Sequence, residues 1–259
     1  MHKSKVLAKL RKGEPVLCTK TNFSDPSIIE LIGTLGFDCI WICKEHIWTN
    51  DETIANMVRA ARSTNMDTMV RIQKACYSSA ITQLEMGAKG IMVPHVNTAE
   101  EAEFWVKSTK FYPEGRRGID GVNADSGWMS MEFKEYLKFS NKETFIAVQI
   151  EDPEAIPNIE EIASVPNLDM IFVGIGDLSV SMGFEGDINR REIWDVLEKV
   201  GKVAKEKNIF AGTPGISIER TKKLIDMGFL FITNGADIIY LRNSFSNLKK
   251  EYEEIGFNF

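Results

Sequence analysis

The sequence predicts an α/β fold, a single (β/α)8 TIM barrel over residues 1–259, and three observations point there. Eight short apolar runs alternate with helical segments along the 259 residues, the rhythm and size such a barrel requires. Several runs are hydrophobic almost without a break, as parallel strands covered on both faces are. Charged and amide side chains recur just past the C-terminal ends of the runs, where a barrel carries its chemistry. The rival is a doubly wound open sheet. Against it, no break separates two halves, and the turn Gly174-Ile175-Gly176 has Ser179 where a dinucleotide fingerprint needs its third glycine.

A short amphipathic stretch, Val6 to Leu10, precedes the first strand, Pro15 to Lys20. Asp25 and Pro26 open a helix to Gly36, with proline at the first helical position, where its missing N–H is not needed. Phe37 to Cys43 is the second strand and runs into Lys44, Glu45 and His46; Thr49 to Glu52 resembles a capping box before a helix reaching Ala61. The third strand is Asp67 to Arg71 and the fourth Gly90 to Val93, with a helix from Ser78 to Met86 between them. Thr98 to Glu101 caps a helix that reaches about Lys110. Residues 111–142 are then rich in Gly, Pro and polar side chains, with a short helix near Met131 to Leu137. Long loops inside compact domains are usually functional, so this one is expected at the active site. Phe145 to Ile150 is the fifth strand, Glu154 to Ser164 a helical segment, and Met170 to Val173 the sixth strand. Ile209 to Thr213 and Phe229 to Thr233 complete the eight, followed by amphipathic helices from Ile218 to Met227 and from Asp237 to Ile255.

The net charge of −6 is spread along the chain with no basic stripe, which argues against nucleic acid and anionic membrane surfaces as partners. No apolar run approaches the ~20 residues needed to span a bilayer. The basic start, Met1 to Lys5, lacks the apolar segment of a secretion signal, so the cytoplasm is the expected location. Cysteines at 18, 39, 43 and 76 form no C-x-x-C pair, and three lie in or beside strands. They read as buried free thiols, in keeping with a reducing compartment.

Read at the strand ends, the polar residues are Glu45, His46, Arg71, His95, Glu151, Asp177, Thr213 and Asn234. Glu151 and Asp177 follow consecutive parallel strands and so converge; two hard oxygen donors suit Mg²⁺ or Mn²⁺. The alternative is that each caps the helix after it. Arg71 can bind a carboxylate bidentately or neutralise an enolate oxygen, unless it is spent on an ion pair with one of the acids. His46, beside Glu45, can exchange protons near neutral pH, and His95 is a second candidate base. Gln149 lies two residues before Glu151 and points to the same side. Thr213, at the end of the seventh strand, is a candidate substrate contact.

Phe37-Asp38 through Glu45-His46, Val70-Arg71, Val93-Pro94, the run Tyr112 to Gly118, Val148 to Glu151, and Gly174 to Ser179 with Met182-Gly183 together resemble the HpcH/HpaI family of class II pyruvate-dependent aldolases. The resemblance spans nearly the whole chain, in order. It implies a divalent-metal-dependent lyase that cleaves a 4-hydroxy-2-oxo acid to pyruvate, or a close 2-oxo acid, plus an aldehyde. By it, Glu151 and Asp177 are metal ligands, for Mg²⁺ or Mn²⁺ with Co²⁺ a further candidate. Gln149 and Arg71 contact the pyruvate unit, the amides around Gly176 and Asp177 hold its carboxylate, and His46 serves proton transfer. It also implies a homo-hexamer in which Glu85 reaches a neighbour's site. Two departures stand out: Cys43 replaces the family's usual aspartate three residues before the histidine, and Gly-Ile-Gly-Asp177 replaces Gly-Pro-Ala-Asp. A thiol cannot charge-stabilise an imidazolium as a carboxylate does. Another enolate-forming lyase or decarboxylase on the same barrel, or a catalytically silent 2-oxo-acid binder, are the alternatives.

Overall fold

The computed structural model describes residues 2–259. Its strands β1 (Val16–Thr21), β2 (Cys39–Cys43), β3 (Asp67–Arg71), β4 (Gly90–Val93), β5 (Phe145–Ile150), β6 (Met170–Val173), β7 (Phe210–Pro214) and β8 (Phe229–Ala236) close into one parallel barrel in chain order. The predicted architecture is therefore the observed one. Two apolar layers hold it. Inside the barrel, Cys18, Cys39, Trp41, Met69, Met92, Phe145, Met170, Phe172 and Phe231 form one cluster; outside, Ile and Val side chains of the same strands pack against the helices. Alternation along each strand produces both. The interior is tight enough that Gly90 has no room for a side chain, since a Cβ there would lie 2.3 Å from the Phe145 ring.

The N-terminal mouth is plugged by α1 (Lys5–Leu10), whose Val6, Leu7 and Leu10 join the interior cluster. Ser4 Oγ and the Val6 amide both donate to Asp67 at the start of β3, at 2.6 and 2.9 Å. Around the barrel, α2 (Pro26–Thr34) starts as expected, with Asp25 accepting from the Ser27 amide. The cap of α3 (Asp51–Ser63) is Asn50, one residue later than predicted, because its side-chain oxygen is the one that reaches the Thr53 amide. Thr98 caps α5 (Ala99–Thr109), and α4 (Ser78–Glu85) lies where predicted. Helices α7 (Ile159–Ala163), α8 (Ile175–Ser181) and α10 (Ile218–Asp226) follow strands β5 to β7.

Three elements differ from the reading of the sequence. The helix near Met131 is α6, displaced and longer at Phe133–Glu143. Arg191–Lys207 forms α9, which buries Ile193, Val196, Leu197, Val200 and Val203 at helical spacing and was not among the predicted elements. The last helix, α11 (Asp237–Glu253), buries only Asp237 and leaves Ile238, Ile239, Tyr240, Leu241, Phe245, Leu248 and Tyr252 exposed. Residues 111–132 lie next to α3 and the start of α4. They follow a helix and lie along the outside of the barrel, held by Tyr77 at Arg116 and by Arg62 at the Ala124 carbonyl. This segment is pinned by Arg117, whose Nη1 donates to Asp125 at 3.1 Å, while Tyr136 and Ser140 donate to the same carboxylate at 3.0 and 2.9 Å. Arg117 is thus spent on a buried ion pair, and the Arg116-Arg117 pair offers no free double cation for phosphates. Among the described residues no helix is long and apolar enough to cross a membrane.

Candidate active site

Ile150 of β5 pairs with Val173 of β6, so Glu151 and Gly174 leave the barrel side by side. The Gly174 amide donates to the Ile150 carbonyl at 3.0 Å. Glu151 is fully buried and turned inward: one oxygen accepts from the His95 amide and the other from Gln149 Nε2, both at 2.9 Å. A Cβ on Gly174 would come 2.5 Å from Glu151 Oε2, so only glycine leaves the carboxylate its place. Asp177 is exposed in the first turn of α8, whose cap position is Gly174. Neither acid caps a helix, and the capping alternative drops out for both.

Burial pushes the Glu151 carboxyl up to about 7, with the Asp177 charge adding to the rise; the His95 amide and the His95 and Arg71 charges pull the other way. Charge in low dielectric needs an opposite charge close by. A buried carboxylate raised this far, with a second acid adding to the strain, is a site a divalent cation would relieve. The residues present therefore fit the metal implied by the resemblance.

The sign for stability follows from the raised value. Between the carboxyl's ordinary 4.5 and about 7, the folded protein holds a proton that the unfolded chain has released, so stability falls as pH rises through that window. The His95 imidazole is also raised, since the Glu151, Asp152 and Glu45 carboxylates outweigh the lowering effect of its burial, and it acts in the same direction. The thermal midpoint of chelator-treated protein should therefore drop on going from about pH 5 to about pH 8, and Glu151→Gln should flatten the slope. A midpoint that climbs over this range would refute the assignment.

Arg71, the last residue of β3, is 3% exposed and is held from several sides. Its Nε and Nη2 donate to Cys43 Sγ at 3.4 and 3.1 Å, and Nη1 donates to Gln149 Oε1 at 3.4 Å. Glu45 Oε2 lies 3.0 Å from Nε, and the Trp41 ring lies 4.9 Å from the guanidinium carbon. Cys43 and Arg71 are register partners on β2 and β3, which is why thiol and guanidinium meet. Sulfur is a weak acceptor, so the neutralising partner of Arg71 is Glu45. Glu45 also stands 3.5 Å from His95 Nε2 and 3.8 Å from His46 Nε2. Cys43 instead accepts the His46 amide at 3.4 Å.

Of the two histidines, His46 sits on the rim with its side chain 57% exposed, touching only Glu45 among the charged groups. His95 lies deeper in the charge cluster. Its left-handed backbone, at a φ of 51°, turns the ring back over the barrel, where Nδ1 meets Asp152 Oδ2 at 3.0 Å and Glu151 Oε1 at 3.8 Å. Asp152 was missed in the sequence; its one signal was its place immediately after Glu151. Thr213 is buried and donates its hydroxyl to the Val173 carbonyl at 3.0 Å, which ties the end of β7 to the end of β6. A Cβ on Gly176 would meet nothing within 4 Å, which leaves open space at the first turn of α8. Glu85 ends α4 outside this cluster; burial raises its carboxyl, partly offset by Arg117.

The comparison with known proteins agrees with this geometry. The family described as HpcH/HpaI aldolase/citrate lyase matches residues 21–244. A hydroxypyruvate/pyruvate aldolase of Delftia acidovorans is 28% identical over 238 residues, covering 92% of this chain and 88% of that protein. A 4-hydroxy-2-oxo-heptane-1,7-dioate aldolase of Escherichia coli is 29% identical over 238 residues, covering 90% and 89%. The solved structure of the citrate synthase SbnG is 28% identical, with a TM-score of 0.89 over 98% of each chain. With a closed eight-stranded barrel and a match over residues 21–244, the chain belongs to the HpcH/HpaI aldolase/citrate lyase family and is an enzyme of the aldolase and lyase class.

Proposed function

We propose that this enzyme is a divalent-metal-dependent aldolase that cleaves a 4-hydroxy-2-oxo acid to pyruvate, or a close 2-oxo acid, plus an aldehyde. The observation that carries the reading is the polar line Glu45, Arg71, Gln149, Glu151 across the strand ends, with the Asp177 charge acting on its far end. Glu151 and Asp177 would hold Mg²⁺, Mn²⁺ or Co²⁺. When bound, the cation would supply Lewis acidity toward a keto oxygen.

The chain's own residues have the remaining tasks. Arg71 places a fixed positive charge where negative charge develops on the substrate oxygen, and its contacts with Cys43, Glu45 and Gln149 set that position before substrate arrives. The main-chain N–H groups of Gly176 and Asp177 would take the substrate carboxylate. His46 moves a proton at its ring on the open rim, with the Glu45 carboxylate 3.8 Å from its Nε2. Release of pyruvate from 4-hydroxy-2-oxo acids, present with Mg²⁺ and abolished by EDTA, is the expected result. Release unaffected by EDTA would remove the metal from the reading.

The apolar residues along α11 support an assembly of copies, which by the resemblance would be a hexamer in which Glu85 serves a neighbouring site. Sedimentation equilibrium should give the mass of a hexamer; a monomer's mass would rule this out.

A further inference from the structure

One cationic side chain at the barrel mouth has no task in the reaction above. Val16, Cys18 and Lys20 share one face of β1, and the first two belong to the interior cluster, so Lys20 points inward as well. It is the register partner of Trp41, and its Nζ lies 5.6 Å from the centre of the Trp41 ring, against which Arg71 also stacks. Lys20 is half-buried, yet among the described residues it makes neither an ion pair nor a hydrogen bond. An acid close in the fold, Asp237, is already fully used: it accepts from Thr21 Oγ1 at 2.6 Å and from the amides of Asn22 and Phe23 at 2.7 and 3.1 Å. Those bonds fix the segment that follows Lys20.

Cation–π contact offsets part of what an ammonium loses on leaving water, but a charge-assisted partner is missing. Closure of the barrel in chain order sets β1 across the mouth from β5. Lys20 therefore stands opposite Gln149, which the aldolase reading assigns to the 2-oxo acid unit, and Glu151, which it assigns to the metal. A substrate that extends from there across the mouth brings its far end to Lys20.

We propose that Lys20 is a specificity-determining residue that binds a second carboxylate, at the end of the substrate remote from its 2-oxo acid unit. The aldehyde released on cleavage then carries an acid group. A single ammonium matches a single negative charge. This inference rests on the aldolase reading.

Calorimetry with Mg²⁺ present tests it, using 2-oxoglutarate, 2-oxoadipate and 2-oxopimelate, each against the monocarboxylic 2-oxo acid of the same chain length. One charge-assisted contact corresponds to about tenfold to a hundredfold in affinity. The parent protein should prefer at least one diacid by that factor, Lys20→Met should lose the preference, and Lys20→Arg should keep part of it. The monoacid affinity of each variant reports whether the site is intact. Diacids bound no tighter than monoacids, or a Lys20→Met variant that weakens both equally, would overturn the proposal. So would borohydride trapping of pyruvate on Lys20, which would make it a Schiff-base lysine. If monoacids and diacids alike fail to bind, the oxo-acid reading has failed and this inference falls with it; if monoacids bind without a diacid preference, only this inference falls.

Discussion

Glu151→Gln and Asp177→Asn are each expected to strip the protein of bound divalent metal and to abolish lyase activity while leaving the barrel folded. Loss of an outer-shell partner alone lowers metal affinity about 10- to 100-fold, so loss of a direct ligand should do at least as much. The two variants should part in stability. Glu151 is buried with its charged form disfavoured, so the metal-free Glu151→Gln protein should melt no lower than the metal-free parent at about pH 8. Asp177 is exposed, and Asp177→Asn should leave the melting point nearly unchanged. Elemental analysis after dialysis reads the metal, and full occupancy in both variants would dismiss the assignment.

Arg71→Ala should suppress both aldol cleavage and formation of the enolate from pyruvate alone, by about 10²- to 10³-fold, the effect of removing one preorganised charge from a developing oxyanion. Arg71→Lys should rescue little. A lysine ammonium cannot reach Cys43, Glu45 and Gln149 together as the guanidinium does. The loss should fall on kcat, because the charge is needed where negative charge develops. His46→Ala, at the rim, should slow cleavage more than enolate formation. An Arg71→Ala variant with parental kcat would leave Arg71 a structural role only, as the ion-pair partner of Glu45.

The barrel was legible because its strands are short, almost wholly apolar and punctuated by polar ends, a pattern that burial on both faces imposes. For the same reason Glu151, Gln149 and Arg71 could be placed: strand alternation fixes which side they face. What the sequence hid depended on local geometry or on packing at a distance. His95 enters the charge cluster only because its backbone is left-handed, and that brings Asp152 in with it. Cys43 looked like a defect beside His46, but its register with Arg71 makes its sulfur an acceptor for the guanidinium, whose charge partner is Glu45. In α9 the helical spacing was present and passed over; in α11 amphipathicity did not reveal that its apolar residues face away from this chain's barrel.

The central claim is that this site forms the enolate of a 2-oxo acid with the help of a metal and Arg71, and it can be tested without knowing the aldehyde. Pyruvate incubated with the enzyme and Mg²⁺ in D₂O should exchange its methyl protons for deuterium, followed by proton NMR. The exchange should stop with EDTA and be suppressed in Arg71→Ala. Pyruvate that binds but never exchanges, with Mg²⁺, Mn²⁺ or Co²⁺, would contradict the account and leave a protein that binds 2-oxo acids without turning them over.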